Sequence, residues 1–135
     1  MISFTAYGKP EPQGSARAFV VRGRAIVTSD NPALKEWRTQ LGRAAQACPD
    51  YTGVLIPGPV RIEATFLLQK SKSRPRRDTH PTSNPDLDKL ARALLDAITG
   101  VLIANDNQVC DLDVRKRWAE AGDAPHVTVT VAELV

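Results

Sequence analysis

The chain has 135 residues, 42% of them hydrophobic and 24% charged, the size and balance of one globular domain with a single core. No apolar run approaches the roughly 18 to 20 residues that span a bilayer. Met1 to Tyr7 also lacks the basic start and apolar middle of a signal peptide, so a cytoplasmic protein with no membrane partner is expected. The net charge of +3 is unevenly spread: from Asp86 to Asp113 six acids face two bases, a net of −4, and elsewhere sixteen bases face nine acids, a net of +7. A basic body attracts polyanions through steering and counterion release. An acidic stretch within it repels the same partner unless a cation neutralises it, and a divalent cation is the simplest neutraliser.

In chain order, Ile2 to Tyr7 alternates with the period of a half-buried strand and Gly8 to Ala16 is turn-rich. Ala18 to Val21 and Ala25 to Thr28 flank Arg22-Gly23-Arg24, which predicts a hairpin. Asn31-Pro32 reads as an N-cap followed by proline at the first helical position. Leu34, Trp37, Leu41, Ala44 and Ala45 then mark an amphipathic helix to about Ala47. Pro49 to Pro59 is a loop, and Val60 to Gln69 alternates as a strand. Lys70 to Asn84 is too polar and proline-broken for either period.

Pro85 to Thr99 carries the clearest helical stripe (Leu87, Leu90, Ala91, Leu94, Leu95, Ile98), with Gly100 as its stop. Val101 to Ile103 is a candidate short strand. Val109 to Trp118 alternates with Cys110, Leu112 and Val114 on one side, and Val127 to Val131 is a last strand. The order β, ββ, α, β, α, β, β predicts a single small α/β domain, a mixed β-sheet packed with two main helices.

Cys48, Cys110, His80 and His126 are too widely spaced to seed a zinc site, and read as buried thiols and ordinary imidazoles. A different chemistry is suggested by Asn84-Pro85-Asp86-Leu87-Asp88. On a helix, residues two apart point about 200° away from each other. In an extended segment they share a side, so Asp86 and Asp88 converge only if Asp86 lies at or before the helix start. The simpler alternative is that both acids merely favour the positive end of the helix dipole.

Asp106 sits in the polar turn Asn105-Asp106-Asn107-Gln108, which the helix and the following strand could bring beside the pair. Three carboxylates suit Mg²⁺ or Mn²⁺ rather than zinc. Asp96 is expected to pair with Arg92 at i, i+4, and Asp111 and Asp113 to lie on a solvated strand face. Lys70, Lys72, Arg74, Arg76 and Arg77 lead directly into the paired acids. They read either as a solvated run or as a clamp delivering a phosphate backbone to a metal, with Arg115, Lys116 and Arg117 adding to that surface. No nucleotide-binding glycine loop, calcium loop or serine-hydrolase motif is present.

Asp86-Leu87-Asp88-Lys89-Leu90-Ala91-Arg92, Leu95-Asp96-Ala97-Ile98-Thr99-Gly100 and Asn105-Asp106-Asn107-Gln108-Val109 together resemble the RusA family of Holliday-junction resolvases. The likeness extends to Gly8-Lys9-Pro10 and the last strand, nearly the whole chain. It implies a dimeric α/β nuclease, common in phages and prophages, that nicks four-way DNA junctions using Mg²⁺ or Mn²⁺ and acts in recombination and repair. Asp86, Asp88 and Asp106 match the family's catalytic, metal-holding acids.

Three positions depart from the pattern. Arg92 replaces a lysine and stays charged at any working pH, so it can stabilise charge but cannot donate a proton. Lys89 stands where asparagine is usual and offers an ammonium near Asp86, among the residues expected to meet DNA. Asn105 replaces the first acid of an Asp-Asp pair. Two readings of function follow: a metal-dependent, junction-selective endonuclease making paired symmetric nicks, or a non-catalytic DNA-binding dimer on the same fold.

Overall fold

The computed structural model describes residues 1–14, 17–28 and 32–135. Its elements are β1 (Ile2–Tyr7), β2 (Arg17–Val21), β3 (Arg24–Thr28), α1 (Pro32–Gln46), β4 (Val60–Leu68), α2 (Leu87–Ile98), β5 (Val109–Trp118) and β6 (His126–Glu133), with a short 3₁₀ turn at Asp106–Gln108. Four strands form one sheet in the order β1-β6-β4-β5. The β1–β6 and β4–β6 pairs are antiparallel and β4–β5 is parallel, so the sheet is mixed and the α/β expectation holds. β2 and β3 make a separate two-stranded ribbon. Arg22 and Gly23 at its tip both have positive φ, 50° and 78°, as a two-residue hairpin turn of matching twist requires.

The core lies between one face of the sheet and the two helices. Val60, Ile62, Ala64 and Phe66 of β4, in the centre of the sheet, are buried together with Phe4 and Ala6 of β1 and Val127, Val129 and Val131 of β6. Trp37 and Leu41 of α1 and Leu90, Leu94 and Ile98 of α2 close over them. The opposite face is polar. Ser3 and Thr130 share a hydrogen bond of 3.1 Å across it. Arg61 pairs there with Glu63 at 2.8 Å and Asp113 at 3.6 Å. Asp113 also accepts from Arg115 at 2.7 Å and Asp111 is exposed, so both acids lie on the solvated face expected for them.

Several local expectations change. α2 begins at Leu87, two residues after Pro85, because Asp86 is extended (φ −70°, ψ 137°) and acts as the N-cap. Val101–Ile103 is no strand. It turns back beneath α2, with single bridges from Ile103 to Ile56 and Thr99, since the Leu102 and Ile103 amides are taken by Ile98. β5 is a sheet edge, so its apolar side is only partly covered: Leu112 is 45% exposed and Cys110 is an exposed thiol, whereas Cys48 is buried. The Asn31 cap lies outside the described residues. Among the described residues no helix is long and apolar enough to cross a membrane.

Gly8 ends β1 with φ 142°, and a Cβ there would meet Gln40 Oε1 at 2.7 Å and the Trp37 ring at 3.2 Å. Gln40 can swing aside, but Trp37 is fixed in the core. Gly8→Ala is therefore expected to cost about 1 to 3 kcal/mol, read as a lowered urea midpoint with an unchanged m-value.

Candidate active site

Parallel pairing of β4 with β5 requires a crossover, and α2 supplies it. The loop entering α2 and the turn leaving it carry the acids singled out above. Asp86, at the helix start, is exposed and makes no side-chain capping bond. Its carboxylate stands 3.6 Å from Lys89 Nζ, placing the ammonium beside the acid as expected. Asp88, in the first turn, is exposed and has no hydrogen bond or ion pair among the described residues. The extended backbone at Asp86 satisfies the condition under which the two acids share a side.

Asp106 begins the 3₁₀ turn, and its neighbours hold that turn tightly. Asn105 Oδ1 accepts from the Asn107 amide at 3.0 Å. Gln108 Oε1 accepts from the Ala104 and Asn105 amides at 2.8 and 3.0 Å. Its Nε2 donates to the carbonyls of Ile56 and Gly58 at 2.7 and 2.9 Å. All four bonding positions of that amide are in use, fastening the turn to the loop before β4. Asn105, in place of an acid, is thus the cap that shapes the turn.

Asp106 then meets α2 through Arg92, whose Nη1 lies 2.5 Å from its carboxylate and 3.4 Å from Asp96. The expected Arg92–Asp96 pair forms, but Asp106 is the closer partner. Its hydrogen bond is the main influence raising the Arg92 pKa further. Arg92 is one turn beyond Asp88 on the same face, and its Cα lies about 9 Å along the axis from Asp86. The fold therefore brings Asp106 to the face of α2 that carries Asp88. It does not gather all three carboxylates: among the described residues no three His, Cys, Asp or Glu side chains are grouped to hold an ion. In kind, the donor set fits a hard divalent cation, with carboxylate oxygens only and two of the three acids exposed.

The basic loop is more ordered internally than its composition implies. Arg74 donates to Asp78 Oδ2 and Ser83 Oγ, each at 2.9 Å, and its guanidinium lies 5.1 Å from the Trp118 ring centroid. The bond from Arg74 holds the Asp78 carboxyl below the usual range against the opposing effect of burial. Arg74 thus braces the loop from within, and it also lines a groove with Lys70 and Lys72. Lys72, Arg76 and Arg77 are exposed with no partner among the described residues, and Lys70 is half-buried.

The Arg115-Lys116-Arg117 triplet also divides. Arg115 binds Asp113 and Thr65 on the polar face, and Arg117 is exposed. Lys116 Nζ donates to the carbonyls of Ser83 and Pro85 at 2.8 and 2.9 Å.

Asp86 and Lys89 line a groove of about 450 Å³ with Lys9, Pro10 and Gln13. A neighbouring groove of about 550 Å³ shares Lys9, Pro10, Asn84 and Pro85 and runs on to Lys70, Lys72 and Trp118. A cationic trough thus leads to the first acid. Lys9 lines both grooves, although its isolated charge in the sequence gives no sign of this. It is placed by the Gly8 amide on Pro125 O and the Gln13 amide on Lys89 O, both at 3.0 Å.

A small α/β domain with carboxylates at the start of its crossover helix, fed by a basic trough, is a protein built to handle a polyanion. Residues 9–132 match the family described as endodeoxyribonuclease RusA, and the chain belongs to that family of Holliday-junction resolving endonucleases, which act on branched DNA. It is also 30% identical, over 145 residues, to "Uncharacterized protein YqaN" of Bacillus subtilis (strain 168), an overlap of 98% of this chain and 96% of that one.

Gln108→Leu strands the Ile56 and Gly58 carbonyls and the Ala104 and Asn105 amides. The expected cost is about 1 to 3 kcal/mol, with hydrogen exchange at residues 104–108 accelerating more than exchange in β4.

Proposed function

We propose that the chain is a Mg²⁺-dependent endonuclease, with Mn²⁺ able to substitute, that resolves four-way DNA junctions in recombination and repair. The observation that carries this reading is the placement of Asp106 against the Asp88 face of α2, with Asp86 uncapped at the mouth of the cationic trough. Asp86, Asp88 and Asp106 would hold the cation, which when bound supplies an activated water and charge for the phosphate and leaving oxygen.

The remaining roles belong to cationic side chains. Arg92 balances Asp106 and stabilises charge near the cut, and Lys89 offers an ammonium beside Asp86. Lys9, Lys70, Lys72, Arg76 and Arg77 receive the DNA backbone. A homodimer suits the two-fold symmetry of a junction and accounts for paired nicks.

One observation favours a second reading. Arg92 already pairs with one oxygen of the Asp106 carboxylate, as it would in a junction-binding dimer without nuclease chemistry.

Cleavage of a labelled junction beside a linear duplex, with Mg²⁺, Mn²⁺ or EDTA, separates the two. Paired metal-dependent nicks are expected on the junction alone. Asp86→Asn should reduce them by at least about a hundredfold with junction binding kept and melting temperature unchanged or raised. Tight binding with no cut under either metal would establish the second reading. Neutralising Lys72, Arg76 and Arg77 together is expected to weaken binding and to lower the salt slope by about 0.7 to 0.9 for each phosphate no longer neutralised. An unchanged slope would make those residues a merely solvated surface.

A further inference from the structure

Asp86 has two peptide planes, and both are held. Its own carbonyl accepts the first helical bond of α2, from the Leu90 amide at 3.0 Å. The plane before it, which carries the Asp86 amide, has the Pro85 carbonyl at its other end, 2.9 Å from Lys116 Nζ. The same ammonium binds the Ser83 carbonyl at 2.8 Å. Because a peptide unit is planar, fixing the Pro85 oxygen fixes the direction in which the chain enters Asp86. With both planes set, the Cα–Cβ direction of Asp86 is fixed, and the carboxylate, which makes no capping bond, turns only about its two side-chain torsions.

Lys116 is suited to this work by its place in the sheet. It stands opposite Phe66 in the β4–β5 register, on the helix side of the edge strand, where a long side chain reaches the loop preceding α2. Charge-assisted bonds from an ammonium to carbonyls are stronger than neutral ones, and one nitrogen joins two carbonyls two residues apart. The loop receives a second hold from the same strand through Arg74 stacked on Trp118.

We propose that Lys116 is a positioning residue for Asp86, acting through the Ser83 and Pro85 carbonyls and not as a phosphate ligand. The proposal rests on the reading of Asp86 as a catalytic acid. Three proteins test it: wild type, Lys116→Met, which keeps the stem and removes the ammonium, and Lys116→Arg, which restores donors.

For Lys116→Met, kcat on the junction should fall about ten- to hundredfold, as misplacement of a reacting group does, with KM and affinity in EDTA within about threefold of wild type. Trypsin cleavage after Arg76 and Arg77 should accelerate several-fold, and Lys116→Arg should recover most of both properties.

A kcat within about twofold of wild type in Lys116→Met overturns the proposal. A loss seen mainly in affinity and salt slope also overturns it, making Lys116 a phosphate ligand. So does a lowered melting temperature whose restoration in Lys116→Arg brings back no activity. If wild type itself cuts no junction under either metal, the nuclease reading fails and Lys116 has no catalytic acid to position. The trypsin comparison then still reports whether Lys116 holds the loop.

Discussion

Everything at the candidate site depends on the parallel pairing of β4 with β5. Two parallel neighbours cannot be joined by a hairpin, so the chain must leave the end of β4, return along α2 and re-enter at the start of β5. That return path is the acidic stretch of the sequence. Its entry, the loop to Asp86, lies against the far end of β5, where Lys116 and Trp118 reach it. Its exit, the Asp106 turn, lies against the loop before β4, where Gln108 fastens it. The sheet therefore anchors both ends of the crossover, and α2, buried through Leu90, Leu94 and Ile98, holds the distance between them.

The anchors share one physical character. Lys116 and Gln108 both donate to main-chain carbonyls, and Arg74 joins a carboxylate, a hydroxyl and an indole face. Loops of this kind expose many polar backbone groups, and side chains that satisfy several at once fix a conformation that packing alone would leave loose. The net positive charge of the body is thus divided between two uses. Lys116 and Arg74 bond to other parts of the protein, while Lys72, Arg76, Arg77 and Lys9 face solvent, Lys9 in the groove that Asp86 also lines.

The arrangement of strands and helices was legible because most elements carry a clean period. β4 alternates buried and less buried residues from Val60 to Leu68, and α2 repeats at three and four. Where a period was present but misleading, the reason is tertiary. Cys110 and Leu112 alternate like core residues, yet β5 is an edge and no strand covers its outer side. Val101–Ile103 is apolar enough for a strand, but its amides are taken by the end of α2. At the site, residue types and the pairs within α2 were readable, and the partners across the fold were not. Asp86, Asp88 and Asp106 stood out by spacing and by resemblance. Nothing local says that Arg74 bonds back to Asp78 and Ser83, that Lys116 reaches the carbonyls before α2, or that Lys9 joins a trough with Lys70 and Lys72. Such pairings arise only once the sheet register is fixed, because a side chain's neighbours across a fold are set by topology and not by sequence distance.

The arginine at position 92 shows how a single charge-conserving change alters what such a site can do. A lysine there would present a compact ammonium able to titrate and to donate a proton to a leaving oxygen. The guanidinium instead spans Asp106 and Asp96, a planar donor bridging two acids from different parts of the crossover. It ties the turn to the helix more firmly and contributes charge without a transferable proton. Lys89, one turn earlier, places its ammonium 3.6 Å from Asp86. The two cations differ in kind: a planar guanidinium joins the Asp106 turn to the helix, and a compact ammonium stands beside Asp86, on adjacent turns of the same helix.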